Sequence, residues 1–216
     1  MLGYVCKYTP MELFEAMDTE ITRLEPSVTD FNHADTLMHA NICSYTKAVL
    51  EDVMEHDYEG VILTTCCDSI RRLYDTLKSQ FPDKFFFLLD IPRKFNDFAV
   101  ALYERQLKQM LTEYEAFSGK TLDLKRFVSM MQNKAALKKQ ENTRMSASAA
   151  SEKGNGQKLN IGIMGARCNN EIRQLLVDRG ANLLFDLTCT GLARDFSITE
   201  DQALHLSLIH ISEPTR

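Results

Sequence analysis

The sequence predicts an α/β protein with a parallel sheet, and three observations predict it. Short apolar runs alternate with helix-period stretches through residues 1–94. Phe85-Phe-Phe-Leu-Leu89 is a continuous apolar run, the mark of a strand covered on both faces. Gly60-Val-Ile-Leu63 runs through Thr64-Thr-Cys-Cys67 into Ile70, Leu73, Tyr74 and Leu77, spaced by three and four: a buried strand, a tight loop and an amphipathic helix. The sheet is expected to be Rossmann- or flavodoxin-like, followed by a helical connector and the start of a second α/β domain.

Leu2 to Cys6 opens the chain as a short strand. Thr9-Pro10-Met11-Glu12 reads as a capping box, with Thr9 at the N-cap, Pro10 at the first helical position and Glu12 reaching back. Leu13, Phe14 and Met17 form the inner face of that helix, and Thr19 to Leu24 is a second strand. Pro26 to Asp35, carrying His33, reads as polar loop. Ala34 to Glu55 is mostly helix, broken near His39-Ala-Asn41, and Cys43 opens its second part. Residues 95–145 are helical: Phe98, Leu102, Leu107 and Met110 share one face, Ser118-Gly119 ends that helix, and Phe127, Met130 and Met131 lie on the next. Residues 146–158 (SASAASEKGNGQK) are a low-complexity linker. Residues 159–205 begin a second strand–helix–strand unit, with Gly180 as a helix cap. Residues 206–216 read as translated sequencing adapter, so the gene is expected to have been cut near His205.

The bulk numbers narrow the class. The chain has 216 residues, a net charge of −5, 44% hydrophobic and 9% aromatic residues, an ordinary composition for a globular protein. No basic stripe with interleaved aromatics points to nucleic acid. No apolar run approaches the roughly 20 residues that span a bilayer. The chain opens without a leader, so a cytoplasmic protein with reduced thiols is expected. Six cysteines (Cys6, Cys43, Cys66, Cys67, Cys168, Cys189) are then read as ligands, nucleophiles or core residues rather than disulfides.

Cys66 and Cys67 are the sharpest feature. They lie where the carboxyl end of a strand meets the amino end of a helix, the usual place for ligands in an open α/β sheet. A helix amino terminus favours negative charge, and thiolate is the form that binds iron or zinc. Cys43 occupies a similar helix start, and a parallel sheet brings such positions to one edge. Soft sulfur donors suit an iron–sulfur group or zinc, although no C-x-x-C pair is present. Cys66 is read as pointing into the sheet, Cys6 as packed in the core, and Cys168 as an ordinary turn thiol. His33, His39 and His56 are read as surface or loop histidines, and Arg71-Arg72 as a solvated helix face. Gly162-Ile-Met-Gly165 does not meet the dinucleotide fingerprint.

Four blocks in order resemble the 2-hydroxyacyl-CoA dehydratase component D family, which also holds benzoyl-CoA reductase subunits and double-cubane cluster proteins. They are Gly3-Tyr-Val-Cys-Lys-Tyr-Thr-Pro-Met-Glu12, Asn41-Ile-Cys-Ser-Tyr-Thr-Lys47, Thr64-Thr-Cys-Cys-Asp-Ser-Ile-Arg-Arg-Leu-Tyr74 and Cys189-Thr-Gly191. The resemblance implies that residues 1–94 bind a [4Fe-4S] cluster through thiolates, with Cys43 as the first ligand and Cys67, directly before Asp68, as the second. It makes Cys66 the alternative ligand, places the third ligand beyond this chain, and gives Cys189 no assigned role. It implies removal of water from an (R)-2-hydroxyacyl-CoA through a ketyl radical. The partners implied are a second subunit of the same family, an ATP-hydrolysing activator and the acyl-CoA; a double-cubane or benzoyl-CoA-type reductase, or a non-catalytic cluster subunit, is the alternative. Three positions depart from the family pattern: the doubled Cys66, Asp18 in place of a common glycine, and Ala40 in place of a common proline.

Overall fold

The computed structural model describes residues 1–28, 30–92, 96–133, 159–165, 167–186 and 188. The linker, Cys189 and residues 206–216 lie outside these, as do the end of the helical segment and the residues after 188.

The N-terminal part is a four-stranded sheet of β1 (Leu2–Tyr4), β2 (Ile21–Arg23), β3 (Gly60–Thr64) and β4 (Phe85–Leu89), in the order β2-β1-β3-β4. Every pairing is parallel, with Leu2 opposite both Ile21 and Gly60, and Gly60 opposite Phe85. Six helices accompany it: α1 (Met11–Glu15), α2 (Asn32–Leu37), α3 (Ser44–Glu55), α4 (Asp68–Gln80), α5 (Asp97–Ser118) and α6 (124–133). The chain runs outward from β1 to β2, returns past β1 to β3, and continues to β4. The order therefore reverses between β1 and β3, which makes that boundary the switch point of the sheet.

Period-two alternation sorts side chains onto two cores, so the fold class read from the sequence is the one observed. Leu2, Tyr4, Ile62, Phe85, Phe87 and Leu89 face α1, α5 and α6, where Phe14, Tyr103, Leu107, Tyr114 and Phe127 fill the layer. Val5, Val61, Leu63 and Phe86 face α2, α3 and α4, against Val49, Leu50, Ile70, Leu73 and Leu77. Burial on both faces is why β3 and β4 read as unbroken apolar runs. The helical segment after β4 thus completes the first core. Phe98, expected on its inner face, is 79% exposed, and Val100 and Tyr103 are buried in its stead. The buried stripe is set by Tyr103, Leu107, Met110 and Tyr114, and Phe98 falls off it.

Two local readings are corrected. The capping box at Thr9 does not form: α1 starts at Met11 with no side-chain cap, the Met11 N–H donates to the Thr9 carbonyl at 2.9 Å, and the Thr9 hydroxyl is buried instead. His33 stands in helix α2, where its Nδ1 lies 2.7 Å from Oε2 of Glu51, while the Ala34 N–H donates to Oε1 at 2.8 Å. The buried Glu51 carboxylate thereby satisfies the open amino end of α2.

Asp18 has a left-handed backbone, φ 53°, which explains why glycine suits that position. The Asp18 and Thr19 N–H groups donate back to Glu15 and Phe14 carbonyls at 3.1 and 3.0 Å, a Schellman-type close of α1. In this chain the Asp18 carboxylate is gripped by both terminal nitrogens of Arg126, which hold it below the ordinary carboxylate range.

Behind it, the buried Tyr114 hydroxyl shares a 2.9 Å hydrogen bond with Thr19 and donates to Glu59 at 2.9 Å. Burial, with the Glu59 carboxylate and against the Thr19 bond, pushes this phenol up to about 12; burial and Asp52 do the same for Tyr58. Both folded values exceed the ordinary 10.0, so their stabilisation is complete below pH 10 and lost as pH rises toward 12. Urea titrations should show stability falling across that window, with a shallower fall in Tyr58→Phe and Tyr114→Phe. An unchanged slope in both variants would contradict the assignment.

The C-terminal described part is a parallel pair, β5 (Leu159–Ile163) and β6 (Ala181–Asp186), joined by α7 (Asn170–Asp178). Its anchor is Asp186. Burial alone would raise this carboxyl, but the Thr188 hydroxyl and N–H, then Arg173 at 2.6 Å, hold it low.

Candidate functional site

The loops at the carboxyl ends of β1 and β3, together with the amino ends of α3 and α4, form one edge at the switch point. Cys43 is the N-cap residue of α3 and Cys67 that of α4, both with extended backbone. In a parallel α/β unit the helices run back against the strands, so both helix starts sit on the carboxyl edge. Each thiol is exposed and outside any disulfide, and neither caps its own helix. The Cys43 Sγ lies 3.0 Å from Oγ1 of Thr46, one turn on.

The sequence reading and the structure agree on this edge and differ in one detail. Cys66, expected to point into the sheet, is exposed beside Cys67. The strand ends at Thr64, and residues 65 and 66 form a turn in which the Cys66 N–H donates to the Thr64 carbonyl at 2.7 Å. Strand alternation therefore no longer governs where the Cys66 side chain goes. Cys6 is buried in the core as expected, and Cys168 is buried as well. Thr65 donates to Asp90, tying the loop after β3 to the end of β4.

The remaining candidates behave as ordinary surface groups. Arg71 and Arg72 are exposed on α4, and Arg72 pairs with Asp75 at 3.3 Å. His56 pairs with Asp52 at 3.2 Å, and His39 accepts the Asn41 N–H at 3.2 Å.

Two features were not legible beforehand. The hydroxyls of Thr9 and Thr64, on the loop after β1 and at the end of β3, are buried with no hydrogen-bond partner among the described residues. Arg167, on the loop after β5, reaches the switch point: its Nη1 donates to the Val5 carbonyl at 3.2 Å, and its guanidinium carbon lies 3.8 Å from the centre of the Tyr45 ring. Tyr45 follows Cys43 in the first turn of α3, and its hydroxyl is 3.4 Å from the Leu24 carbonyl. Burial raises its phenol well above the ordinary value, Arg167 opposes that, and Cys66 and Cys6 reinforce it. One ring is thus within electrostatic reach of Arg167 and two cysteines. Arg167 and Val5 are 162 residues apart, and no sequence spacing signals their meeting.

Three exposed thiols lie on this edge, Cys43, Cys66 and Cys67, and sulfur donors of this kind hold iron–sulfur groups or zinc. Among the described residues, no three His, Cys, Asp or Glu side chains are grouped closely enough to hold a metal ion. Among the described residues, no helix is long and apolar enough to cross a membrane.

The domain is thus of the open parallel α/β class, with exposed thiols at the switch-point edge where such sheets bind ligands. Residues 6–149 match the model of the 2-hydroxyglutaryl-CoA dehydratase D-component, and the chain belongs to that family. No curated protein matches the chain. The family is that of a dehydratase component, and the match contains Cys43, Cys66 and Cys67.

Proposed function

We propose that the chain is the iron–sulfur subunit of a 2-hydroxyacyl-CoA dehydratase, acting in the cytoplasm. The observation that carries this reading is the pair of exposed N-cap thiols, Cys43 and Cys67, on the switch-point edge of a dehydratase-family domain. The reaction is elimination of water from an (R)-2-hydroxyacyl-CoA. Its difficulty is that the β-hydrogen is not acidic. One-electron reduction of the thioester carbonyl gives a ketyl radical anion that expels the α-hydroxyl; the β-proton, now acidic, is lost, and the electron is returned for the next cycle, so the elimination is redox-neutral. A [4Fe-4S] cluster, when bound, supplies a low-potential electron and a Lewis-acidic iron for an oxygen ligand.

The chain's residues supply the frame. Cys43 and Cys67 are the two thiolate ligands, each on a rigid helix start. The sheet edge orients the thioester, and the apolar layers beneath it keep water from the radical. The third ligand belongs to residues other than the described ones. A second subunit of the same family and an ATP-hydrolysing activator complete the system. Exposure of Cys66 beside Cys67 supports a second reading, a double-cubane or benzoyl-CoA-type reductase component. A non-catalytic cluster-carrying subunit uses the same thiols.

Iron and acid-labile sulfide per chain, measured after oxygen-free purification, separate these. About four of each is the expected result for one cubane cluster. About eight iron moves the assignment to the double-cubane reading. No iron removes the proposal.

A further inference from the structure

We propose that Arg167 binds an anionic group of the ligand, a carboxylate or a phosphate, at the crevice between β1 and β3. This rests on the acyl-CoA reading above, because acyl-CoA ligands carry such groups.

Arg167 lies beyond the stretch that matches the family, on the loop between β5 and α7. Its guanidinium nevertheless meets the residue directly after β1 and the first turn of α3, the two elements that border the switch point. Ligands of open α/β sheets bind outside the carboxyl ends of the strands at that point.

One guanidinium nitrogen of Arg167 is engaged by the Val5 carbonyl, and the planar group stacks on Tyr45. Both contacts fix orientation, and neither neutralises the charge. Among the described residues no carboxylate forms an ion pair with Arg167. Glu25 acts on the same Tyr45 phenol, but its carboxylate is taken by Arg23 at 2.5 Å. A half-buried guanidinium is costly without an anion. Its fork of donors matches a carboxylate or phosphate, and stacking on an aromatic ring leaves the edge free to present them. The other arginines with acidic partners, Arg72, Arg126 and Arg173, use that edge on Asp75, Asp18 and Asp186. Arg167 is the cation at the switch point whose described contacts are a carbonyl and a ring.

The test is binding by calorimetry, so it does not depend on turnover. Three probes divide the anion sources. Coenzyme A carries phosphates and no carboxylate. The N-acetylcysteamine thioester of 2-hydroxyglutarate carries a carboxylate and no phosphate. The matching thioester of a 2-hydroxy monocarboxylic acid carries neither. Arg167→Gln should raise Kd for one of the first two about tenfold to a hundredfold, the loss of a charge-assisted hydrogen-bonded pair. Arg167→Lys should recover part of it, and the third probe should be unaffected. A loss confined to coenzyme A assigns phosphate; one confined to the glutarate thioester assigns carboxylate. Equal Kd in wild type and Arg167→Gln for every probe overturns the inference and leaves the dehydratase reading standing. An equal loss on all three probes makes Arg167 a packing residue and also overturns it. Failure of the wild type to bind coenzyme A or any thioester overturns the dehydratase reading itself.

Discussion

Cys43→Ser and Cys67→Ser, each purified without oxygen, are expected to lose nearly all iron and the brown absorption near about 400 nm that marks thiolate-bound iron. The reason is donor chemistry. A hydroxyl at either N-cap keeps the shape of the helix start but is a poor ligand for a soft metal site. Neither thiol caps its own helix, so the substitution removes no backbone contact on which folding depends. Far-ultraviolet dichroism and the urea midpoint should therefore match the parent. Cys168→Ser serves as the control: this thiol is buried, its Sγ lies 3.7 Å from the Asn169 carbonyl oxygen, and the chromophore should survive. Full iron retention in Cys67→Ser would defeat the ligand assignment. Retention in that variant with loss in Cys66→Ser would transfer the role by one residue.

Gly60→Ala is expected to destabilise the protein by more than about 4 kcal/mol, a large share of the stability of an ordinary domain. A Cβ at Gly60 would stand 1.9 Å from the Phe85 carbonyl oxygen and 2.7 Å from the Phe85 Cβ. The obstacle is the backbone of β4, which no side-chain rotation can move aside. Gly60 also pairs with Leu2, so relief on one side disturbs the register on the other. The parent and Gly60→Ala would be compared by urea denaturation. Gly119→Ala is the contrast: its φ of 71° disfavours a side chain but nothing lies within 4 Å, and about 1 kcal/mol is expected. Similar midpoints for the two variants would show that β3 and β4 do not approach as described.

The sheet was legible because its strands are buried on both sides, which writes the pattern into composition. Phe85 to Leu89 and Gly60 to Leu63 needed no partner to be recognised. The edge that carries Cys43 and Cys67 was legible for the same reason, since a strand followed by a helix fixes where the loop falls. What escaped was decided by single contacts. Thr9 had the right type and spacing for a cap, yet the Met11 N–H chose the Thr9 carbonyl. His33 looked like loop because Pro26 to Asp35 is polar, and only the buried Glu51 carboxylate, far along the chain, makes α2 hold there. Strand alternation gives Cys66 the wrong direction because the residue lies two positions past the point where the strand stops. Arg167 is the clearest case: its partners Val5 and Tyr45 are distant in sequence, and no local rule reports a contact of that kind.

The positions of Cys43 and Cys67 have a consequence for assembly. The two thiols bracket one continuous passage of chain, α3 followed by β3, and the helices they open pack on the same face of the sheet. Their spacing is therefore set within one short passage of chain, upstream of the contacts that involve Arg167. During synthesis this passage leaves the ribosome well before Arg167 is made, and domains fold in that order. On the iron–sulfur reading proposed above, the two sulfur ligands would stand on the nascent protein before the cation that borders them is made, so that cluster loading and completion of the anion site would be separable in time.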